Sequence, residues 1–470
     1  LTLTEQNAPI IAQICQQLDG IPLALELAAA LLSGLTLEEL ADHLQDRFTL
    51  LVTGRRTALP RHQTLRATID WSYDLLNAAE KMLLCQVAVF VDGWTLPAAE
   101  AMAVDESGRK QTLPLLLQLI NKSLVIANER DTGTRYRMLE SIRQYALEKL
   151  CEVGEEAQAR QRHFDYFLAL AEQSHDPSLI GRPLVRWTHQ IAADWSNLRS
   201  AFVWSRVTVN RAERQLRMAG ALWLFWMLRY SNDEGIGWLE EALAQKIENL
   251  PVLHATALIY LADLLRRVGQ SYLPYVEIAL ELSQQHNHKI GIGHCLVLQA
   301  DTLENDVTQL EQALANYQQA LQYFQEVGHL LYTGYTQVCI ADLNAILNRM
   351  DAARTQYLEC LEFGQEYEEI TIVRWVFETL SKLDRKLAIK LCQEELLHQR
   401  SMDDQEALAA ILETLGHMLQ AEGRYHEALS ILEECLTLWR EMNITLSLVG
   451  GTARATFDLG RNYYWLGDYH

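Results

Sequence analysis

Glycine and proline are scarce, 23 and 9 in 470 residues, well under the usual combined share of ~12%. That shortage of breakers excludes collagen-like and low-complexity chains, counts against a turn-rich all-β protein, and favours long helices. Positive charge is also short: 40 Lys and Arg face 61 Asp and Glu, for a net of −21. A chain so acidic repels phosphate backbones, so most of it is not a nucleic-acid surface. No apolar run is long enough to cross a membrane; the longest candidate, 21–35, is too short and contains Glu26. With no signal peptide in view, the expected location is cytoplasmic. Eight cysteines include no CxxC, which argues against a zinc ribbon. Set among apolar residues at helical spacing, they read as small buried hydrophobes in a reducing compartment.

Catalytic signatures are missing too. There is no GxxxxGK[ST], no Gly-Lys dipeptide, no HExxH, no GxSxG and no strand-borne GxGxxG. Gly291-Ile-Gly293 lacks the third glycine. His286-Asn-His288 has no third ligand near it in sequence and reads as a solvated turn between helices. No catalytic residue and no metal site are expected, and no catalysis from this chain alone.

What is present is apolar and periodic. Apolar residues make up 49% of the chain, enough for about three domain cores at ~150 residues each. Charge is uneven: residues 1–150 net −4 and the remaining 320 net −17, which hints at two functional regions. Thr4 and Asn7 offer a helix cap, and Ile10, Ile14 and Leu18 repeat at i, i+4. Gly20-Ile21-Pro22 breaks this pattern, an apolar helix runs from Leu23 to about Leu32, and Thr36 with Glu39 forms a capping box for a third helix. Residues 54–64 are a basic connector. Helices are then expected over 64–76, 78–90, 96–103 and 112–121. From Ser123 the period changes: 123–128 and 134–139 flank Asp131-Thr132-Gly133, predicting a β-hairpin, and a helix over 141–151 closes the unit. Helices followed by one hairpin make a winged-helix pattern.

Several of these segments resemble one family. Gly20-Ile21-Pro22-Leu23-Ala24 is similar to the GxP motif of NB-ARC-type, or STAND, signalling ATPases, and Cys15–Ala30 resembles their bacterial, transcriptional-regulator branch. So do Arg61–Arg66 with Asp70-Trp71-Ser72-Tyr73, Tyr136–Ala146, Asp194–Ala201 and Glu234–Leu243. The resemblance implies that Pro22, with Gly20 and Leu23 beside it, lies on the adenine side of a nucleotide site. It also implies that Leu139 stands where the family's winged helix carries a phosphate-contacting His; a Leu cannot donate there. The phosphate loop and the Mg²⁺-binding acidic strand belong upstream of the GxP segment in that family. The chain opens at Leu1, inside a helical pattern, and ends within a repeat, so it reads as part of a longer protein. ATP or ADP is expected in the full-length parent, with none held tightly by this fragment. In that family the winged helix is an internal regulatory part, so no direct nucleic-acid contact is expected.

The second half repeats. Ala313–Leu321 aligns with Ala353–Leu361 forty residues on, then with Ala388–Glu394, then with Tyr425–Leu436. Leu415-Gly416, Gly423 and Tyr425 recur as Leu459-Gly460, Gly467 and Tyr469. These resemble tetratricopeptide helix pairs with a period longer than the usual ~34. Small residues at 313, 353, 416 and 428 let helices approach closely, Tyr317, Tyr357 and Leu432 fill the gap one turn on, and Gly423 permits a tight turn. Trp187, Trp195, Trp204, Trp223, Trp226 and Trp238 read as core packing at helix junctions rather than a ligand cage.

The expected fold is therefore all-α dominated: a helical lid over 1–57, a winged-helix domain with a small β-hairpin over 58–150, a helical connector over 151–240, and an α-α superhelix of tetratricopeptide-like repeats over 241–470. The expected function is the regulatory and sensor portion of a STAND-type signal-transduction ATPase, a transcriptional regulator, whose parent is an ATPase switch. A protein or small-molecule ligand in the repeat groove would control nucleotide-gated opening and self-assembly. The alternative is a stand-alone tetratricopeptide interaction scaffold without ATPase activity.

Overall fold

The computed structural model describes residues 4, 7–17, 25, 32, 36–43, 65–103, 106–130, 133–229, 231–245, 249–402, 404–442 and 451–466. Over these residues the chain is all-α dominated, as expected from its lack of breakers. It divides into two compact units, residues 1–169 with 194–205, and residues 170–193 with 206–470.

The first unit opens with α1 (Ala8–Gln17) and α2 (Leu37–His43), which pack on each other. Thr36 and Glu39 form the expected capping box: Glu39 N donates to Thr36 Oγ1 at 3.2 Å and Thr36 N donates to Glu39 Oε2 at 2.9 Å. Next come α3 (Leu65–Asp74) and α4 (Ala78–Val87), the latter started by a second capping box between Asn77 and Glu80. Helix α4 ends three residues short of the expected Phe90, and the chain turns through Asp92 and Gly93, both at positive φ. Gly93 is required here: a Cβ would lie 2.4 Å from the Tyr136 carbonyl oxygen. That close approach brings β1 (Trp94–Thr95) alongside the hairpin, a strand the sequence did not announce. The hairpin itself is β2 (Ile126–Arg130) and β3 (Gly133–Arg137), paired antiparallel with Ala127 opposite Tyr136. The sheet order is β1-β3-β2. Short α5 (Leu96–Glu100) and α6 (Glu106–Asn121) lie between β1 and the hairpin, and α6 starts two turns before the expected 112. Helices α7 (Glu140–Glu152), α8 (Glu156–Ala171) and α10 (Trp195–Ser205) follow, with α9 (Arg182–Ala193) belonging to the second unit.

Two segments distant in sequence are pinned by Asp194 and Asn197. Arg135 Nη2 donates to Asp194 Oδ1 at 2.8 Å. Asn197 accepts from Val91 N at 2.7 Å and donates to the Gly93 carbonyl at 2.9 Å, so one side chain satisfies both backbone groups beside the turn. The basic residue at the centre of the hairpin is thus consumed inside the unit.

The second unit is a series of helices packed on their sequence neighbours: α11 (Arg211–Arg229), α12 (Asn232–Leu243), α13 (Pro251–Arg267), α14 (Leu273–Gln285), α15 (Lys289–Leu303), α16 (Leu310–Glu326), α17 (Leu330–Ile346), α18 (Met350–Glu366), α19 (Ile370–Leu383), α20 (Arg385–Ser401), α21 (Gln405–Ala421), α22 (Tyr425–Glu441) and α23 (Thr452–Leu466). Alternate members also touch, α11 with α13, α13 with α15, α17 with α19, α19 with α21, and α21 with α23. Such contacts are those of stacked helix pairs. The small positions read from the sequence are all at crossings: Ala313, Ala353 and Ala428 are fully buried, and a Cβ on Gly416 would meet Leu432 Cδ2 at 2.5 Å. Gly423 has φ +80° and ends α21. Tyr317 and Tyr357 fill the gaps as expected, and each also donates its hydroxyl to a carboxylate on the preceding helix, Asp301 and Asp342. Gly467 and Tyr469 lie outside the described residues.

Helix α9 and the segment before it lie on this array. Gly181 N donates to Glu369 Oε2 at 2.9 Å, Leu330 N donates to the Pro177 carbonyl at 2.9 Å, and Arg182 pairs with Glu368 at 2.9 Å. Trp187 and Ile191 are buried beneath it. Of the six tryptophans between 187 and 238, Trp187, Trp223 and Trp226 are core residues, while Trp195, Trp204 and Trp238 are half-buried. Five of the eight free cysteines are buried; Cys151, near the end of α7, is exposed and donates to Glu156.

Candidate functional site

Three helices of the second unit, α13, α15 and α17, begin at one cleft. Pro251 opens α13, where a missing N–H is harmless. His288 and His329 are the N-caps of α15 and α17, and neither makes a side-chain cap bond. Their rings are left free for the cleft, whose volume is about 490 Å³, inside the ordinary range for small-molecule sites of roughly 300–1,000 Å³. Leu250, Val252, Leu253, Ile259 and Ile290 supply apolar wall, Asn249, Thr256 and Ser174 a polar edge, and Tyr260, Tyr332, His175, His288, His294 and His329 the remainder.

The aromatic groups support one another. Trp223 stacks on Tyr260 at 4.4 Å between ring centroids, His329 stacks on Tyr332 at 3.8 Å, and His294 meets the Tyr332 ring edge-on at 4.1 Å. Trp223 Nε1 donates to Asp263 Oδ2 at 3.1 Å, and that carboxylate is bracketed by Arg266 and Arg267. Among the described residues, no Asp, Glu, Lys or Arg side chain lines the cleft itself. Burial pushes the His294 imidazole down to about 3, helped by the neighbouring His329, and pushes His329 down to about 4. His288 and His175 are lowered by burial as well. All four imidazoles are therefore uncharged at neutral pH, and burial lifts the Tyr260 hydroxyl to about 12.

Two polar gaps remain. His329 is 4% exposed, and its Nδ1 has no hydrogen-bond partner. Beside α15, Ser283 Oγ and His288 Nδ1 are also unpartnered, and they lie 2.6 and 2.5 Å from where a Cβ on Gly291 would stand. Gly291 thus lets these two buried groups approach the helix backbone more closely than a Cβ would allow.

A second cluster has metal-type ligands. Glu413 and His417 on α21 and Asp458 on α23 offer ligand atoms within 4.8 Å of one another. Arg454 lies 2.6 Å from Glu413, Arg374 lies 3.7 Å from it, and Arg461 lies 3.5 Å from Asp458. Arg374, which also pairs with Glu378 at 3.8 Å, Arg454 and Arg461 already meet these carboxylates, so a dication would have to displace existing ion pairs. The cluster is an ion-pair network tying α19, α21 and α23 together.

Of the residues singled out in the sequence, Gly20, Pro22 and Leu23 lie outside the described residues. Leu139 is the N-cap of α7, half-buried, with no side-chain cap bond. Two motifs far apart in sequence meet: Tyr145 donates to Asp70 at 2.6 Å and packs edge-on against Tyr73 at 5.5 Å. The isolation assigned to His288 needs correcting, because the array folds His294 and His329 into its cleft. Their ring nitrogens do not converge to ligand spacing, since the only such group among the described residues is the one on α21 and α23. The signal that could have found the cleft is periodic: His288 and His329 are 41 residues apart, one repeat, at the same position before their helices.

No known protein family's sequence profile matches the chain. Proteins from Mycobacterium bovis and Mycobacterium tuberculosis, each named "Putative HTH-type transcriptional regulator", are 40% identical over 264 residues, covering 56% of this chain and 30% of the relative. An "Uncharacterized protein" of Mycobacterium tuberculosis is 40% identical over 155 residues, covering 33% of this chain and 39% of its own length. The chain thus spans about 30% of the length of the first of these relatives. Among solved structures, a signal transduction ATPase with numerous domains (STAND) protein with a tetratricopeptide repeat sensor from Pyrococcus horikoshii is similar, with TM-score 0.48, 15% identity, and coverage of 95% of this chain and 72% of that one. An aspartyl phosphate phosphatase from Bacillus subtilis is similar with TM-score 0.40 and 12% identity, over 83% of this chain and 95% of that one.

Proposed function

We propose that this chain is the regulatory and sensor portion of a STAND-type signal-transduction ATPase that acts in transcription. The observation that carries the reading is the built cleft in the stacked-helix unit, a cavity of about 490 Å³ lined by His329, whose buried Nδ1 has no hydrogen-bond partner. The 264-residue stretch 40% identical to proteins named as HTH-type transcriptional regulators supports the regulatory part. In this reading, 1–57 is a helical lid, 58–150 a winged-helix domain, 151–240 a connector and 241–470 the sensor array.

ATP or ADP would bind in the longer parent, supplying a phosphate-dependent switch. Gly20, Pro22 and Leu23 would flank its adenine. Phosphates would face the start of α7, where Leu139 offers no side-chain donor and the first backbone N–H groups carry no side-chain cap. This chain binds and positions; it does not hydrolyse. Ligand capture by the array would release the closed state and permit self-assembly, with the DNA-binding or other effector part outside this region.

The test is the ADP off-rate of the full-length parent, read by fluorescent-nucleotide displacement. Pro22→Ala removes a rigid apolar wall and should speed release about ten-fold, the scale of one lost apolar contact surface. Leu139→His adds a donor and should slow it. A parent that retains no nucleotide would instead make the chain a stand-alone interaction scaffold.

A further inference from the structure

We propose that the cleft at the starts of α13, α15 and α17 binds a small, flat, uncharged aromatic molecule that carries a hydrogen-bonding group. The inference deepens the sensor reading and rests on it for its biological meaning, though the binding site stands on its own geometry.

Three observations select that chemistry. The first is charge. Among the described residues, the cleft is lined by no acidic side chain, no lysine and no arginine, and its basic groups are imidazoles. A charged ligand would be stripped of water there with no opposite charge to meet it, a large desolvation cost. The second is shape. The inner wall is aromatic: Tyr260 backed by Trp223, and Tyr332 between His329 and His294. Ring faces and edges at this density favour stacking and edge-on contact with another flat ring system. The third is the unmet hydrogen bonding. His329 lines the cleft and its buried Nδ1 has no hydrogen-bond partner, and the wall beside it offers the neutral polar side chains of His175, His288, His294 and Thr256. A neutral imidazole nitrogen offers one donor or acceptor, so a hydroxyl, carbonyl or ring nitrogen on the ligand would satisfy it.

The experiment uses the whole 470-residue chain and two probes of equal size, 2-naphthol and 2-naphthoate, titrated at pH 7.5 with the fluorescence of the probe as readout. Neutral naphthol should bind saturably at one site per chain, and anionic naphthoate at least ten-fold more weakly. Thr256→Trp, which fills the cleft from its edge, should abolish naphthol binding while the melting transition stays in place. Val252→Trp on the exposed rim serves the same purpose if the first variant melts early. His329→Phe keeps the stacked ring but removes the nitrogen, and should weaken naphthol about ten-fold. Equal or tighter binding of naphthoate overturns the inference, as does naphthol binding indifferent to these substitutions, or no naphthol binding at millimolar concentration. So does saturable Zn²⁺ binding that His329→Phe abolishes and that excludes naphthol, because the imidazoles would then be ligands. These results are read on this chain alone, whereas the sensor reading fails on nucleotide retention in the parent, so the two failures are separable.

Discussion

Arg135 reaches from the centre of the hairpin to Asp194, 59 positions later, and closes a 2.8 Å ion pair with both side chains nearly shielded from water. The same guanidinium nitrogen lies 3.2 Å from the Gly93 carbonyl, so strand, turn and α10 share one polar knot. Buried pairs of this kind specify an arrangement more than they add stability.

Asp194→Ala should therefore cost about 3–5 kcal/mol, because it strands a buried guanidinium. Replacing both partners, Arg135→Met with Asp194→Leu, should recover most of that loss. Urea denaturation of the three proteins checks it. A double replacement as damaging as the single one would mean that the hydrogen bonds to Gly93 and Asn197, not the charge pair, hold the knot.

Much of the fold was legible because it rests on local rules. The capping box at Thr36 and the turn at Gly423 act within a few residues of themselves, and the small residues at Ala353 and Ala428 recur with the repeat, whereas the second box, at Asn77, was not read from the sequence. The β1 strand was not legible, since two residues carry no period and their pairing depends on Gly93 meeting Tyr136 from 43 positions away. The Asp194–Asn197 motif was visible only as a resemblance; its physical reason, two backbone groups and one arginine to satisfy, appears once the chain is folded. The cleft was hidden for a similar reason. One histidine before a helix looks solvated, and only stacking of successive repeats turns His288 and His329 toward a common space. The GxP segment stays where the sequence left it, an expectation about Gly20, Pro22 and Leu23.

Ala428→Arg should destabilise the C-terminal pairs by ~2–4 kcal/mol, since Ala428 has no exposure and a charge cannot be housed at that crossing. Stacked pairs interact mainly with neighbours, so the loss should remain local. Hydrogen exchange should show lost protection over 405–440 and none at 65–74. Unchanged protection over 405–440 would contradict the crossing, and equal loosening at both would contradict locality.

The array should lose stability in acid partly through His329. Burial holds this imidazole at about 4, while an unfolded histidine titrates near ~6.5. Between those values the unfolded chain binds a proton that the folded chain refuses, so stability falls as pH drops from ~6.5 to about 4. Around it, Asp176 favours the charged form, His175 opposes it, and Tyr332 stacks on the ring. His329→Asn should flatten the pH dependence of unfolding by about one proton across that window. Urea titrations at a series of pH values measure the slope. Identical slopes in both proteins would mean that the imidazole titrates normally.

Gly181 gives the sharpest local test, because other glycines, Gly269 and Gly423 among them, share its backbone conformation without its surroundings. At φ +62° a Cβ on Gly181 would lie 2.1 Å from the Tyr367 carbonyl oxygen and 3.0 Å from that of Glu368. Both obstacles are backbone, so neither can swing aside. Gly181→Ala must push the 176–182 segment away, breaking the bond from Gly181 N to the buried Glu369 carboxylate. Left-handed strain plus an orphaned buried acceptor amounts to about 2–5 kcal/mol. Gly269→Ala, at φ +73° with nothing within 4 Å, should cost only the conformational part, about 1–2 kcal/mol. Gly423→Ala, at φ +80° and equally unobstructed, should match it. Hydrogen exchange then separates local detachment from global loosening: in the Gly181 variant, protection should drop first over α9, where Trp187 and Ile191 lose their cover, while α21 and α22 keep theirs. If all three variants melt alike and exchange alike, the contact between Gly181 and the 367–369 turn does not hold α9 in place.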